Sequence, residues 1–408
     1  MNEDFSGYHI PNVTSNYTSL LDVFETSTMG NYVATVEEIS GLRQFEEWYK
    51  PIHGYSAAIV CVFGVIANIL NIVVLTRKNM QTSTNVILTG LAISDGATMA
   101  AYFPWALWMY IIYGTGVSAK RDTLECAHFQ MWYAIFSVIV HSISIWLTVT
   151  LAVFRFIFIR FPRRGTRYCN IQRAKLAVVI VVVVVIIVCI PNSVNYEIYN
   201  GIERVVVEGP HVGNDSVYWV GQKKNTDFQI FVNKFNFFVQ ALLVKLLPCV
   251  LLTVFSFLLV KTMRDAEKRR KKLLNKTPVS DGESGATSSG GGNHKKNRKS
   301  NRSNRTTTML LVVVLLFILT ETPQGVLYVL SGLINGFFMN VYTPLGDLLD
   351  IVALINNGIN FVLYCTMSKQ FRDTFFNIFI RNSSGDRRKT TTTYITTQQT
   401  HATKDSDV

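Results

Sequence analysis

Hydrophobic and polar positions along this chain fall into blocks, with neither the two-residue period of a half-buried strand nor the 3.6-residue period of a surface helix in water. Seven blocks, 52–76, 85–112, 126–159, 171–191, 228–260, 307–333 and 342–367, are apolar almost throughout. A helix rises about 1.5 Å per residue and a bilayer's hydrocarbon core is about 30 Å thick, so roughly 20 apolar residues cross it. Each block therefore predicts one membrane-crossing helix, spans 1 to 7 in order. Val178 to Ile190 is nearly all β-branched, poor helix material in water. In lipid every backbone N–H and C=O must be bonded internally, and the helix becomes the default. The fold class expected is an all-α membrane protein, a seven-transmembrane helix bundle.

Outside the blocks, residues 1–51 form a polar amino-terminal segment without a signal-peptide core, and 52–367 form the bundle. Ser368 to Phe376 sets aromatics on one face and charges on the other, which predicts a short amphipathic helix on the membrane surface over 368–380. The third connection, about 265–305, is Gly/Ser-rich between two basic runs, and the Thr-rich tail 381–408 is polar; both compositions predict disorder and regulatory contacts. The runs Val205-Val206-Val207 and Val217-Tyr218-Trp219-Val220 predict a hairpin between spans 4 and 5.

At 49% hydrophobic and 16% charged residues, the 408-residue chain is too apolar for an ordinary soluble protein. Of its 39 Lys and Arg, 29 fall in the first, second and third connections and the tail that alternate with the amino terminus. Positive charge marks the cytoplasmic side, so the expected location is the plasma membrane with amino terminus outside and carboxy terminus inside. The +12 net charge is then topology and attraction to inner-leaflet lipid, not a nucleic-acid surface. Asn12, Asn16 and Asn214 start glycosylation sequons that this orientation places outside. Acidic residues outnumber basic ones on that side, which steers cationic ligands inward. No zinc-protease, P-loop, nucleophile-elbow or paired His/Cys spacing is present, so neither an enzyme nor a cofactor is expected. Transporter-like repeated halves with broken helices are also missing.

Polar residues placed one per span carry the finer reading. Asn68 in span 1, Asp95 in span 2, Arg155 at the inner end of span 3, Pro248 in span 5, Pro323 in span 6, and Asn360 with Tyr364 in span 7 stand in order along the chain. In that order and with these neighbours the chain resembles the rhodopsin-like G-protein-coupled receptors. Thr320-Glu321-Thr322-Pro323, where that family commonly has Cys-Trp-x-Pro, and Phe361, in place of the span 7 proline, resemble the invertebrate myosuppressin, sex-peptide and FMRFamide-like neuropeptide receptors. The resemblance implies an extracellular amidated peptide as ligand, heterotrimeric G proteins of the Gi/o class as partners, and arrestin and receptor kinases as regulators. A small-molecule or chemosensory ligand is the alternative.

On this resemblance Asp95, Ser144, Asn356 and Asn360 match an allosteric sodium pocket; a hydrogen-bonded cluster without an ion remains the other reading. Arg155, flanked by Phe154 and Phe156 where relatives carry Asp and Tyr, matches the G-protein-coupling arginine, and Phe154 in place of the restraining carboxylate implies basal activity. Lys245 should reach the depth of Glu321 and pair with it or share a water; a neutral, unpaired Glu321 is left open. Cys126 lacks its usual loop partner, leaving Cys189 as the one intrachain candidate and no bridge as the expectation. For an Arg-Phe-amide ligand, Asp347, Asp350, Glu197 and Glu203 are candidate carboxylates. Tyr102, Trp105, Trp108, Trp132 and Tyr328 are candidate ring neighbours, and His141 and Gln324 face the same pocket.

Overall fold

The computed structural model describes residues 36–114, 120–206, 212–223, 226–274, 312 and 315–381. Seven helices in it are long and apolar enough to cross a membrane: Gly41–Leu75, Ser83–Ile112, Leu124–Arg160, Ile171–Ser193, Asp227–Asp265, Leu315–Leu333 and Phe338–Met367. Each coincides with a predicted span. The first helix begins at Val36, so 36–51, read above as part of the polar amino-terminal segment, is helical and continues into the bundle through Pro51. The fifth helical rod runs on to Leu274, ten residues into the stretch read above as loop. Asn12, Asn16, most of the third connection and the Thr-rich tail lie outside the described residues.

Helix starts follow local chemistry. Thr82, Thr123, Asn170 and Thr226 each accept a backbone N–H of the first turn with the side-chain oxygen, capping spans 2, 3, 4 and 5. Such a cap is worth about 1 kcal/mol. Ser368 caps the surface helix Lys369–Phe376 in the same way, and Phe371 on its inner face is 1% exposed against Tyr364 and Phe361.

Three wide, π-helical turns interrupt the spans. The one at Gln240–Leu246 in span 5 ends two residues before Pro248. Proline has no N–H to return to Val244, and its ring crowds that carbonyl. The chain relaxes by lengthening a bond, so that Leu247 N–H reaches Leu242 O, five residues back. Phe338–Tyr342 precedes Pro344 with the same spacing, and Thr343 N–H likewise reaches Phe338 O. A wide turn inserts a residue and rotates what precedes and follows it.

Packing between spans 1, 2 and 7 is close at Gly64, where an added Cβ would collide with the Met99 side chain and lie 3.6 Å from the Gly358 Cα. Small residues at such crossings let helices approach where no hydrophobic drive separates lipid from protein. Span 4 buries least, and Val179, Ile180, Val183, Val184 and Ile187 are exposed, as lipid-facing residues are.

Between spans 4 and 5, strands Tyr196–Val206 and Val212–Gln222 pair antiparallel. The predicted hairpin is therefore present, in a different register: Val205 faces Gly213 and Val217 faces Gly201, so the two valine-rich runs do not meet. At its base Tyr196 is pushed above the ordinary phenol range by burial, partly offset by a hydrogen bond with Asn192.

Candidate functional site

Near the hairpin end, spans 2, 3, 5, 6 and 7 line a cavity of about 130 Å3. Tyr102, Tyr133, Tyr328 and Tyr342 supply rings; Thr98, Ser137, His141, Gln240, Lys245, Gln324 and Asp350 supply polar groups. Asp350 is exposed to this space, accepts the Tyr102 hydroxyl at 3.3 Å, and forms no ion pair among the described residues. One turn earlier, Asp347 accepts the Tyr110 hydroxyl at 2.6 Å, while its Oδ2 is buried without a partner. His53, 0% exposed, supports Tyr102 from span 1 at 2.7 Å.

Beneath the cavity lies a charged partition. Lys245 Nζ donates to Glu321 Oε2 at 2.5 Å and Gln324 Oε1 at 2.7 Å, and lies 3.0 Å from His141 Nε2. Glu321 is 0% exposed, and its Oε1 is 3.3 Å from the same histidine nitrogen. The pairing read from the sequence is present, with two more members, His141 and Gln324. Its physical basis is need: a carboxylate at this depth costs several kcal/mol unless paired. The wide turn containing Lys245 belongs to the same stretch of span 5.

On the far side of the partition, His141, Glu321, Asn356, Asn357 and Asn360 line a second space with Asp95, Ser144 and Thr148. Asp95, 1% exposed, accepts Ser144 Oγ at 2.5 Å and Asn360 Nδ2 at 3.0 Å. The accessible volume is about 20 Å3, enough for one water or small ion. A carboxylate, a hydroxyl and two carboxamides around such a space carry oxygens suited to a monovalent cation, while the Ser144 and Asn360 donors satisfy Asp95 as a hydrogen-bonded cluster without one.

At the opposite end of span 3, Arg155 Nε is buried without a hydrogen-bond partner, and the residue makes no ion pair among those described. Phe154 packs against a core cluster drawn from spans 1, 2, 3, 4 and 7 and the surface helix. Phe156 reaches Phe255 of span 5 with ring centroids 5.8 Å apart. Tyr364 is buried on Phe371, and Pro323 sits in the outer surface of a continuous span 6.

Of the ligand-contact candidates, Tyr102, His141, Lys245, Gln324, Tyr328 and Asp350 come together around the cavity. Glu321 lies under it. Trp105 stacks behind Tyr133 at 4.7 Å, a supporting position. Trp132 is 50% exposed and stacked on Phe136, and Trp108 packs on Tyr113; neither lines the cavity. Asp347 and Glu197 also lie outside its lining, the latter with a buried, unpartnered Oε2. Glu203 and Asn214 stand on the two hairpin strands, with side chains outside the described residues. Tyr133, Ser137, Gln240 and Tyr342 were not singled out from the sequence. Span 3 carried a usable signal: Tyr133, Ser137 and His141 recur every four residues, the spacing of one helix face.

All six cysteines are free in this structure, Cys126 among them, and Cys189 is buried in span 4. The hairpin meets the segment before span 3 through a backbone bond, Tyr218 N–H to Asp122 O at 2.8 Å. That segment is fixed in turn by Arg121, which grips the Asp122 carboxylate with Nε at 2.7 Å and Nη2 at 2.9 Å and donates to Gly114 O at 3.1 Å. Charge-assisted bonds of this kind contribute about 1.5–3 kcal/mol each. Ligand potency is therefore expected to survive both Cys126→Ser and reducing agent, and to fall about tenfold in Asp122→Ala. A loss of response on reduction would overturn this.

Residues 55–382 match the sequence profile of a family described as serpentine type 7TM GPCR chemoreceptor Srw. The chain is 32% identical over 381 residues to the G-protein coupled receptor dmsr-1 of Caenorhabditis elegans, covering 86% of this chain and 74% of that one. To the sex peptide receptor of Drosophila melanogaster it is 29% identical over 344 residues, covering 82% and 74%. The FMRFamide receptor of the same fly is 21% identical over 331 residues, 79% of this chain and 53% of the relative.

Proposed function

The chain belongs to the seven-transmembrane G-protein-coupled receptors, and from that premise we propose that it is a plasma-membrane receptor for a cationic, amidated neuropeptide of the Arg-Phe-amide type. The observation that carries the ligand reading is Asp350: a carboxylate facing an aromatic-walled cavity, with no basic partner among the described residues. A guanidinium satisfies it, and the rings of Tyr102, Tyr133 and Tyr328 suit a phenyl group. The names of the peptide-receptor relatives favour the same class. The family profile's description favours a second reading, a small chemosensory ligand.

The hairpin end faces outward in this reading and the Arg155 end inward, consistent with the distribution of Lys and Arg. Ligand binding favours a state in which span 6 moves, Arg155 becomes available, and a Gα carboxy-terminal helix enters; Gi/o is the class proposed, with arrestin and receptor kinases acting on the Thr-rich tail. Asp95, Ser144, Asn356 and Asn360 would hold a sodium ion, whose charge would balance the Asp95 carboxylate.

A panel of amidated neuropeptides and small organic ligands, read by G-protein biosensors in cells expressing the receptor, tests the reading. An Arg-containing peptide is expected to activate. Asp350→Asn is expected to raise its half-maximal concentration by about 30-fold or more, the loss of a charge-assisted contact. Activation by small ligands alone, or unchanged peptide potency in Asp350→Asn, overturns it.

A further inference from the structure

Among the described residues, Lys245 is the one permanent cation that lines the ligand cavity. An ammonium has three N–H bonds. Here two go to Glu321 Oε2 and Gln324 Oε1, and His141 Nε2 stands 3.0 Å away, an acceptor for the third in the tautomer that carries its proton on Nδ1. At 6% exposure the group is walled in by its partners, and its charge is matched by Glu321. What remains facing the cavity as an unmatched charge is Asp350, an anion.

We propose that Glu321 is the residue that makes this cavity select a peptide ending in a neutral carboxamide over one ending in a free carboxylate, by occupying the cation that would otherwise receive the carboxylate. The inference rests on the amidated-peptide reading above and adds the residue that discriminates the peptide's end. A terminal carboxylate entering the cavity finds Lys245 already paired with Glu321, while Asp350 is taken by the peptide's own guanidinium; discrimination comes from the withheld cation. A carboxamide carries no charge, so it does not need that cation. Span 6 thereby uses an acid, in place of an apolar or aromatic floor, to hold a cation inside the receptor without offering it to ligands.

The test is a matched pair of peptides, amide and free acid of one sequence that activates the wild type, assayed on wild type, Glu321→Gln and Lys245→Met/Glu321→Gln at equal surface expression. Glu321→Gln keeps an oxygen acceptor for Lys245 but leaves its charge unmatched. The ratio of free-acid to amide potency is expected to move at least tenfold toward the free acid in Glu321→Gln and to return to within about threefold of wild type in the double variant, which has no cation. Gln324→Leu removes one of the three partners without unpairing a charge and is expected to shift the ratio in the same direction by a smaller factor. It provides the reading should Glu321→Gln fail to reach the surface. An unchanged ratio in whichever of these reaches the surface, or an equal shift in the double variant, overturns the proposal. If neither peptide form activates the wild type, the peptide reading itself has failed, and the two failures are thus distinguishable.

Discussion

Lys245→Met is expected to reduce surface expression at least tenfold, and adding Glu321→Gln to it is expected to restore most of the loss. The reason is the depth of Glu321: it is 0% exposed, and its strongest partner is the Lys245 ammonium at 2.5 Å. Removing one member of a buried ion pair leaves an uncompensated charge and costs about 3–5 kcal/mol, whereas removing both charges is close to neutral. Glu321→Gln alone costs less than Lys245→Met, because Lys245 keeps oxygen and nitrogen acceptors on Gln324 and His141. A double-variant cycle on surface expression should therefore show a coupling of about 3 kcal/mol or more, with the double variant better than Lys245→Met. Additive losses would mean that the two groups act independently, and the partition would then be a coincidence of packing.

The second large effect is at the other end of the bundle. Arg155→Ala is expected to lower agonist-driven G-protein activation by at least about tenfold while leaving peptide binding within about threefold, since an arginine fork is well suited to backbone carbonyls of an entering helix and does not touch the ligand cavity. Its Nε is already without a partner, and the residue before it is Phe154, whose ring is spent on packing. Basal signalling should accordingly be measurable and should fall in Phe154→Asp but not in Phe154→Leu, which separates an electrostatic restraint from loss of packing. Equal loss of binding and signalling in Arg155→Ala would assign the residue a purely structural part.

Much of the bundle was legible because its rules are one-dimensional. Span number and approximate limits follow from block length against membrane thickness, whereas the caps at Thr82, Thr123, Asn170 and Thr226, a signal present in the sequence, went unread. The depth of Lys245 relative to Glu321 could also be reasoned out, because an intramembrane charge demands an opposite one. Helix ends were less legible: 36–51 and 265–274 are polar yet helical, since polar residues are good helix formers wherever a neighbouring span has already nucleated the turn. Aromatic residues misled. Trp108 and Trp132 have the same composition signal as Tyr102 and Tyr328, yet only the latter two line the cavity.

By itself, then, the amino-acid sequence determined the seven-helix architecture and the mid-membrane polar residues, because each depends on residue type and spacing along one axis. Rotation about that axis was decided only in three dimensions. The wide turn ahead of Pro248 lies in the stretch from which Lys245 reaches toward Glu321, Gln324 and His141 together, and the packing of spans 2, 3 and 7 left Asp350 facing open space while Asp347, one turn away, is held by Tyr110. Which side of a helix meets a neighbour depends on contacts with residues far off in the chain, and no local period specifies it.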